Sequence, residues 1–142
     1  MWKYVQSSGA LIHPNGTVFH VGYSGRVPDG KNQPDKQCIK NVGPIPRGWW
    51  TIEGSPYKHP SKGPKVMHLE PDASTAVCGR SGFLIHGDNT TETASQGCII
   101  IGGAANRQVI WDSGDHRLQV VRDTMVVTAK AVARAPTTRF VA

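Results

Sequence analysis

Short runs of alternating apolar and polar residues dominate the chain, each cut off by glycine or proline. Trp2 to Gln6 alternates with the period of a strand. Ala10 to His13 and Thr17 to Val21 flank Pro14-Asn15-Gly16, a turn signal between two runs rich in β-forming residues. This predicts an N-terminal hairpin. Tyr23 to Lys40 is polar and bears Gly and Pro, so it reads as a long loop. Gly43 to Gly48 is a rigid connector, because each proline fixes φ and removes a donor. Trp49 to Glu53 reads as a strand, Gly54 to Lys65 as a loop, and Val66 to Glu70 and Phe83 to His86 as strands. At strand spacing Trp49 and Trp50 point to opposite faces. Ile99 to Ile101 is a continuous apolar run that suits a buried strand or the entry to a helix.

Residues 103–113 are the one strong helix candidate. Ala105, Val109 and Asp112 share a face there, and Gly114 suits the stop. Leu118 to Val121 reads as a strand. From Thr124 to Ala142 the pattern fits a strand followed by a helix, and the stretch reads as a C-terminal extension of a domain that otherwise fills residues 1–142. A chain of 142 residues buries roughly 70% of its unfolded surface, enough for one core without staples. Sixteen glycines and ten prolines, spread rather than clustered, favour mainly β structure with tight turns.

The formal net charge of +6 favours anionic partners, but the basic residues are scattered and form no recognition helix or stacking sheet. No nucleic-acid partner is expected. No stretch approaches the roughly 20 apolar residues of a membrane span, and the N-terminus lacks the pattern of a secretory leader. We therefore expect synthesis in the cytoplasm, no membrane insertion and no use of the general secretory route. His13, His20, His59, His68 and His116 show no ligand spacing for zinc, so neither a metal nor a cofactor is expected.

The chemistry concentrates in "FLIHGDNTTETASQGCIII", residues 83–101. Cys98 follows Gly97, which permits unusual backbone and close approach of a ligand. Amides near Gly97 and Cys98 would be placed to stabilise an oxyanion. A thiol needs a base to act at neutral pH, and His86 ends the preceding strand, close enough for one loop to bring the two together. Asp88 suits a turn that bonds its own backbone. Ser95 shapes the loop or donates to a substrate. Arg80 is either a solvated loop residue or a bidentate partner for a substrate carboxylate. Cys38 and Cys78 are either two buried thiols or a disulfide formed after export, with Cys98 left free.

"IHGDNTTETASQGCI" resembles the active-site signature of L,D-transpeptidases, a His-Gly followed by Ser/Thr-x-Gly-Cys. The resemblance implies an L,D-transpeptidase-like β-sandwich with one short helix after the nucleophile. It makes Cys98 the nucleophile, His86 the base and Gly87 the carbonyl that orients it. Ser95 and Gly97 complete the motif. Gln96 stands where the family has histidine, and the arginine usual shortly after the cysteine is replaced by isoleucine. With "YSGRVPDGKNQP", "VGPIPRGWW" and "GRSGFLIHGDN", the chain is similar over most of residues 15–112 to L,D-transpeptidase-like type VI secretion effectors. That similarity implies an antibacterial enzyme acting on peptidoglycan stem peptides in the periplasm of a target cell. It implies as partners an immunity protein and a secretion spike or tube component. It also places the first long loop, with Tyr23 and Asn32, beside a substrate cleft. The rival readings are a housekeeping cross-linking transpeptidase and a basic cell-wall binding module in which Cys98 is structural.

Overall fold

A computed structural model describes residues 1–123. The stretch from 124 onward, read above as a C-terminal extension, lies outside the described residues. The strands are β1 (Trp2–Val5), β2 (Ala10–Ile12), β3 (Val18–Val21), β4 (Tyr23–Ser24), β5 (Gly48–His59), β6 (Gly63–Pro71), β7 (Leu84–His86), β8 (Ile99–Ile100) and β9 (Arg117–Val121). One helix, α1 (Ala104–Asp112), follows β8. Among the described residues the fold is mainly β with a single short helix, as the turn-rich pattern predicts.

All nine strands join in one hydrogen-bonded sheet, in the order β3-β2-β1-β9-β5-β6-β7-β8-β4. The two ends of that order, β3 and β4, are separated in the chain by Gly22 alone. Laid flat, nine strands would hold their edges about 38 Å apart. The chain from Val21 to Tyr23 reaches about 7 Å at most. The sheet must therefore curl until its ends meet. Gly22 is the joint. Its amide donates to Gly9 O at 2.8 Å, and a Cβ on it would run into the Ile100 carbonyl. Inside the curl lie Trp2, Tyr4, Leu11, Trp50, Ile52, Met67, Ile85, Ile99, Leu118 and Val120, all essentially inaccessible. Each aromatic or aliphatic side chain so buried stabilises by roughly 1.5–3 kcal/mol.

The predicted hairpin is present: β2 pairs antiparallel with β3, and Gly16 turns it at φ +92°. Trp50 is buried, with its indole N–H on Pro46 O at 3.1 Å, while Trp49 is 39% exposed, as alternation requires.

Two expectations need correction. The Gly- and Pro-rich segment 54–65 is no loop for most of its length. It forms the outer half of a long β5–β6 arm with register shifts. Beyond Glu53 on β5 and before Met67 on β6 the arm pairs only with itself, so Pro56 and Pro64 lack a ladder partner without cost. Tyr23–Ser24, read as loop, pairs with β8 and closes the sheet. The face of α1 shared by Ala105, Val109 and Asp112 is the outward one. Ala105, Val109 and Asp112 are exposed, whereas Arg107 and Ile110 are buried. Apolar spacing on so short a helix is a weak guide, because the sheet decides which side it covers.

Cys38 and Cys78 form a disulfide with Cα atoms 5.2 Å apart, and Cys98 is the free thiol. The bridge ties the 26–43 loop to the 72–82 loop across a span of 40 residues. Its reduction is expected to cost about 4 kcal/mol. The check is a denaturant midpoint with and without a dithiol reductant; equal midpoints would remove the bridge from the stability of this fold.

Candidate active site

Parallel pairing of β7 with β8 positions the two candidate residues. Ile85 lies opposite Ile99, and both enter the core. Alternation then sends His86, Ile100 and Cys98 to the other face. His86 lies opposite Ile100, two residues beyond Cys98, so the two backbone positions are about 8 Å apart on one face. His86 and Cys98 are thus near neighbours on that face. Both line a cleft of about 500 Å³, within the usual size of a small-ligand site.

His86 is 1% exposed. Its Nδ1 lies 2.8 Å from Gly87 O. A carbonyl only accepts, so Nδ1 carries the proton and Nε2 carries the lone pair. Nε2 is buried without a partner among the described residues. An orphaned buried acceptor costs stability, and such atoms cluster where chemistry is done. Burial holds the imidazole pKa below its ordinary value, and the nearby Lys62, Arg107 and His59 add to this, against the Gly87 bond. His86 is therefore neutral at pH 7.

Cys98 is half-buried, and its thiol lies 3.8 Å from Gly82 O. Burial pushes the thiol pKa up, with partial relief from the Leu84 backbone amide and the charges of Lys62 and Arg80. The resting pair is thiol and neutral imidazole rather than thiolate and imidazolium.

The segment carrying the thiol is held from three sides. Ser95 Oγ donates to Cys98 O at 2.7 Å and accepts from the amides of Gly25 (2.9 Å) and Gly97 (3.1 Å). Ser24 Oγ donates to Gly97 O at 3.1 Å. Arg80, 7% exposed, extends its terminal nitrogens to the carbonyls of Gly43, Pro44, Gln37 and Gln96. Gly97 has φ +139°, and a Cβ there would collide with the Arg80 guanidinium, so only glycine fits.

These contacts revise several expected roles. Cys98, His86 and Gly87 meet in the cleft. Arg80 lines it, but its fork is turned to backbone carbonyls and is not open to a carboxylate in bidentate fashion. Ser95 stands behind the wall, its hydroxyl committed three ways. The Gly97 amide faces Ser95, so it is not an open oxyanion donor; the Cys98 amide has no partner among the described residues. Tyr23 and Asn32 also stand behind the wall. The Tyr23 hydroxyl donates to Asp88 Oδ1 at 2.6 Å and accepts from the Ala94 amide at 2.9 Å, bracing the loop between His86 and Cys98. Asp88 Oδ1 also takes the Asn89 amide at 2.9 Å, the turn role expected of it. Asn32 Oδ1 accepts from the Ser24 amide at 3.3 Å. The first long loop does reach the cleft, through Lys40 and Asn41 instead.

Sequence reasoning missed Ser61 and Lys62, which the tip of the β5–β6 arm brings to the cleft, because that tip read as surface loop. It also missed Arg107, packed beneath Gly87. No local signal marks either group. Lys40, Lys62 and Arg80 against Asp88 make the lining net positive. Among the described residues no group of three His, Cys, Asp or Glu side chains is placed to hold a metal ion, and no helix is long and apolar enough to cross a membrane.

No curated protein and no solved structure matches the chain. The model of one family, the Tlde1 domain, matches residues 19–126, a span that takes in β4 through β9, the cleft and both candidate residues. On that match, covering well over half of its length, the chain belongs to the Tlde1 domain family, the L,D-transpeptidase-like effectors of type VI secretion.

Proposed function

We propose that the protein is a cysteine acyl-transferase that acts on the tetrapeptide stems of peptidoglycan in the periplasm of a target cell. One observation carries the reading: the orphaned Nε2 of a neutral, tautomer-locked His86 shares a cleft with the free thiol of Cys98. That is the arrangement of a nucleophile and its base.

In the first half-reaction Sγ of Cys98 bonds to the carbonyl carbon that precedes the terminal D-alanine, while its proton passes to His86 Nε2. The carbonyl oxygen gains the negative charge, and the Cys98 amide donates to it. The tetrahedral species collapses as the C–N bond breaks and His86 returns the proton to the departing amine. A thioester on Cys98 remains. In the second half-reaction His86 takes a proton from water or from the amine of a free D-amino acid. Attack on the thioester then releases Cys98 as thiol. Water gives a shortened tripeptide stem; a D-amino acid gives an exchanged one. Either product withdraws donor stems from the target's own cross-linking. The positive lining of the cleft suits a substrate that ends in a free carboxylate.

The test is mass spectrometry of purified tetrapeptide muropeptides incubated with the disulfide-intact protein, with and without D-methionine. The control is the same protein after alkylation with iodoacetamide, which reaches Cys98 alone because the other two cysteines are bridged. Loss of D-alanine or its replacement by D-methionine, abolished by alkylation, is the expected result. Unchanged muropeptides with folded protein would return the chain to the reading of a cell-wall binding module.

A further inference from the structure

Gly87 has an ordinary negative-φ or extended backbone, unlike the many positive-φ glycines of this fold. Its conformation alone would accept alanine. What excludes a side chain there is Arg107. A Cβ on Gly87 would lie 2.8 Å from Arg107 Nη1 and 3.0 Å from both Cζ and Nη2. The guanidinium lies flat against the residue whose carbonyl holds His86 Nδ1.

Arg107 is 4% exposed and forms no ion pair among the described residues. A buried cation is costly unless its donors are met. Three backbone carbonyls meet them. Nε donates to Lys65 O at 3.0 Å, Nη2 to Pro64 O at 3.0 Å and Nη1 to Ile101 O at 2.7 Å. The Ile101 amide in turn donates to His86 O at 3.0 Å. One side chain thus joins α1, the outer half of the β5–β6 arm close to its tip, the end of β8 and the His86–Gly87 peptide. A solvent-facing helix arginine would have none of these contacts.

We propose that Arg107 is a positioning residue for the base. It seats the Gly87 peptide so that its carbonyl fixes the Nδ1–H tautomer of His86, and glycine stands at 87 because Arg107 fills the space of a side chain. The inference rests on the reading of His86 as base, but its central measurement does not.

That measurement is nitrogen NMR of histidine-labelled protein, together with thermal unfolding, on wild type, Gly87→Ala, Arg107→Lys and the double variant. In wild type His86 shows the Nδ1–H tautomer. In Gly87→Ala the methyl displaces either the guanidinium or the carbonyl, and the Nδ1–H signature weakens. In the double variant the shorter lysine leaves room, and the signature and midpoint return to those of Arg107→Lys. Where muropeptide turnover is present, Gly87→Ala lowers kcat by about 100-fold with KM little changed. The double variant is then no worse than Arg107→Lys, a coupling expected only of residues in contact. Arg107→Gln moves the acid limb of kcat/KM to higher pH by removing one of the cations beside His86; Lys62 and His59 remain and keep part of the depression. A Gly87→Ala protein with wild-type tautomer and midpoint would overturn the proposal. So would a double variant whose losses equal the product of the single ones. If wild type turns over no stem peptide while the tautomer cycle behaves as described, the base assignment fails and the positioning contact stands.

Discussion

Cys98→Ala is expected to lower stem-peptide turnover by about 10⁴-fold or more. The mechanism has no other thiol to substitute. Cys38 and Cys78 are bridged, and Ser95 has its hydroxyl engaged by three backbone groups behind the cleft wall. Residual rate from binding and oxyanion contacts alone stays far below wild type. The fold has little to lose. The thiol is half-buried and its contact to Gly82 O, at 3.8 Å, is weak. The position of the segment is set by Ser24, Ser95 and Arg80 through backbone atoms that alanine keeps. The unfolding free energy should therefore shift by no more than about 1 kcal/mol. The direct reading is intact-protein mass after brief mixing with tetrapeptide stems. Wild type carries a thioester adduct and Cys98→Ala carries none. An alanine variant that still trims stems would dismiss the cysteine mechanism.

His86→Gln is expected to cost about 10³- to 10⁴-fold in kcat/KM, the upper range of general acid–base catalysis. The size follows from the resting state. Burial raises the thiol pKa and lowers that of the imidazole, so at pH 7 almost no thiolate forms unless His86 accepts the proton during attack. The pH profile separates this from a loss of packing. In wild type kcat/KM rises with pH along an acid limb set by His86, placed below the ordinary imidazole value of about 6.5. In His86→Gln that limb disappears. The remaining rate follows the thiolate fraction and climbs above the ordinary thiol range, about 8.5. Stability carries the same sign. The folded state binds the His86 proton more weakly than the unfolded chain does. The fold therefore has its full stability above about 6.5, and loses it as pH falls from there through the folded-state pKa. Glutamine removes that component. A variant with the wild-type acid limb would show that another group is the base.

The sequence by itself determined the local elements whose period is short. Alternation placed Trp50 inward and Trp49 outward. The Pro14-Asn15-Gly16 turn marked the first hairpin, and the run from Gly103 to Gly114 marked the helix. It also marked the candidate pair, because a His-Gly and a Ser-x-Gly-Cys at the ends of two strands resemble the L,D-transpeptidase signature. Adjacent parallel strands then put both side chains on one face by alternation alone.

Only the tertiary structure decided which groups support that pair. Arg80, Ser95, Tyr23 and Asn32 all suit substrate binding by residue type. Each instead bonds backbone or side-chain atoms distant in the chain: Arg80 to Gln37, Gly43, Pro44 and Gln96; Ser95 to Gly25; Tyr23 to Asp88 and Ala94. No spacing in the sequence encodes where another segment's carbonyl will lie. The outward turn of Val109 and the burial of Arg107 have the same origin, since the sheet beneath α1 offers three carbonyls to a guanidinium at one place and solvent at another. Periodicity acts over neighbouring residues, and hydrogen-bond satisfaction acts over space. The strands and the candidate nucleophile belong to the first, and the closure of the sheet at Gly22 and the scaffold of the candidate base belong to the second.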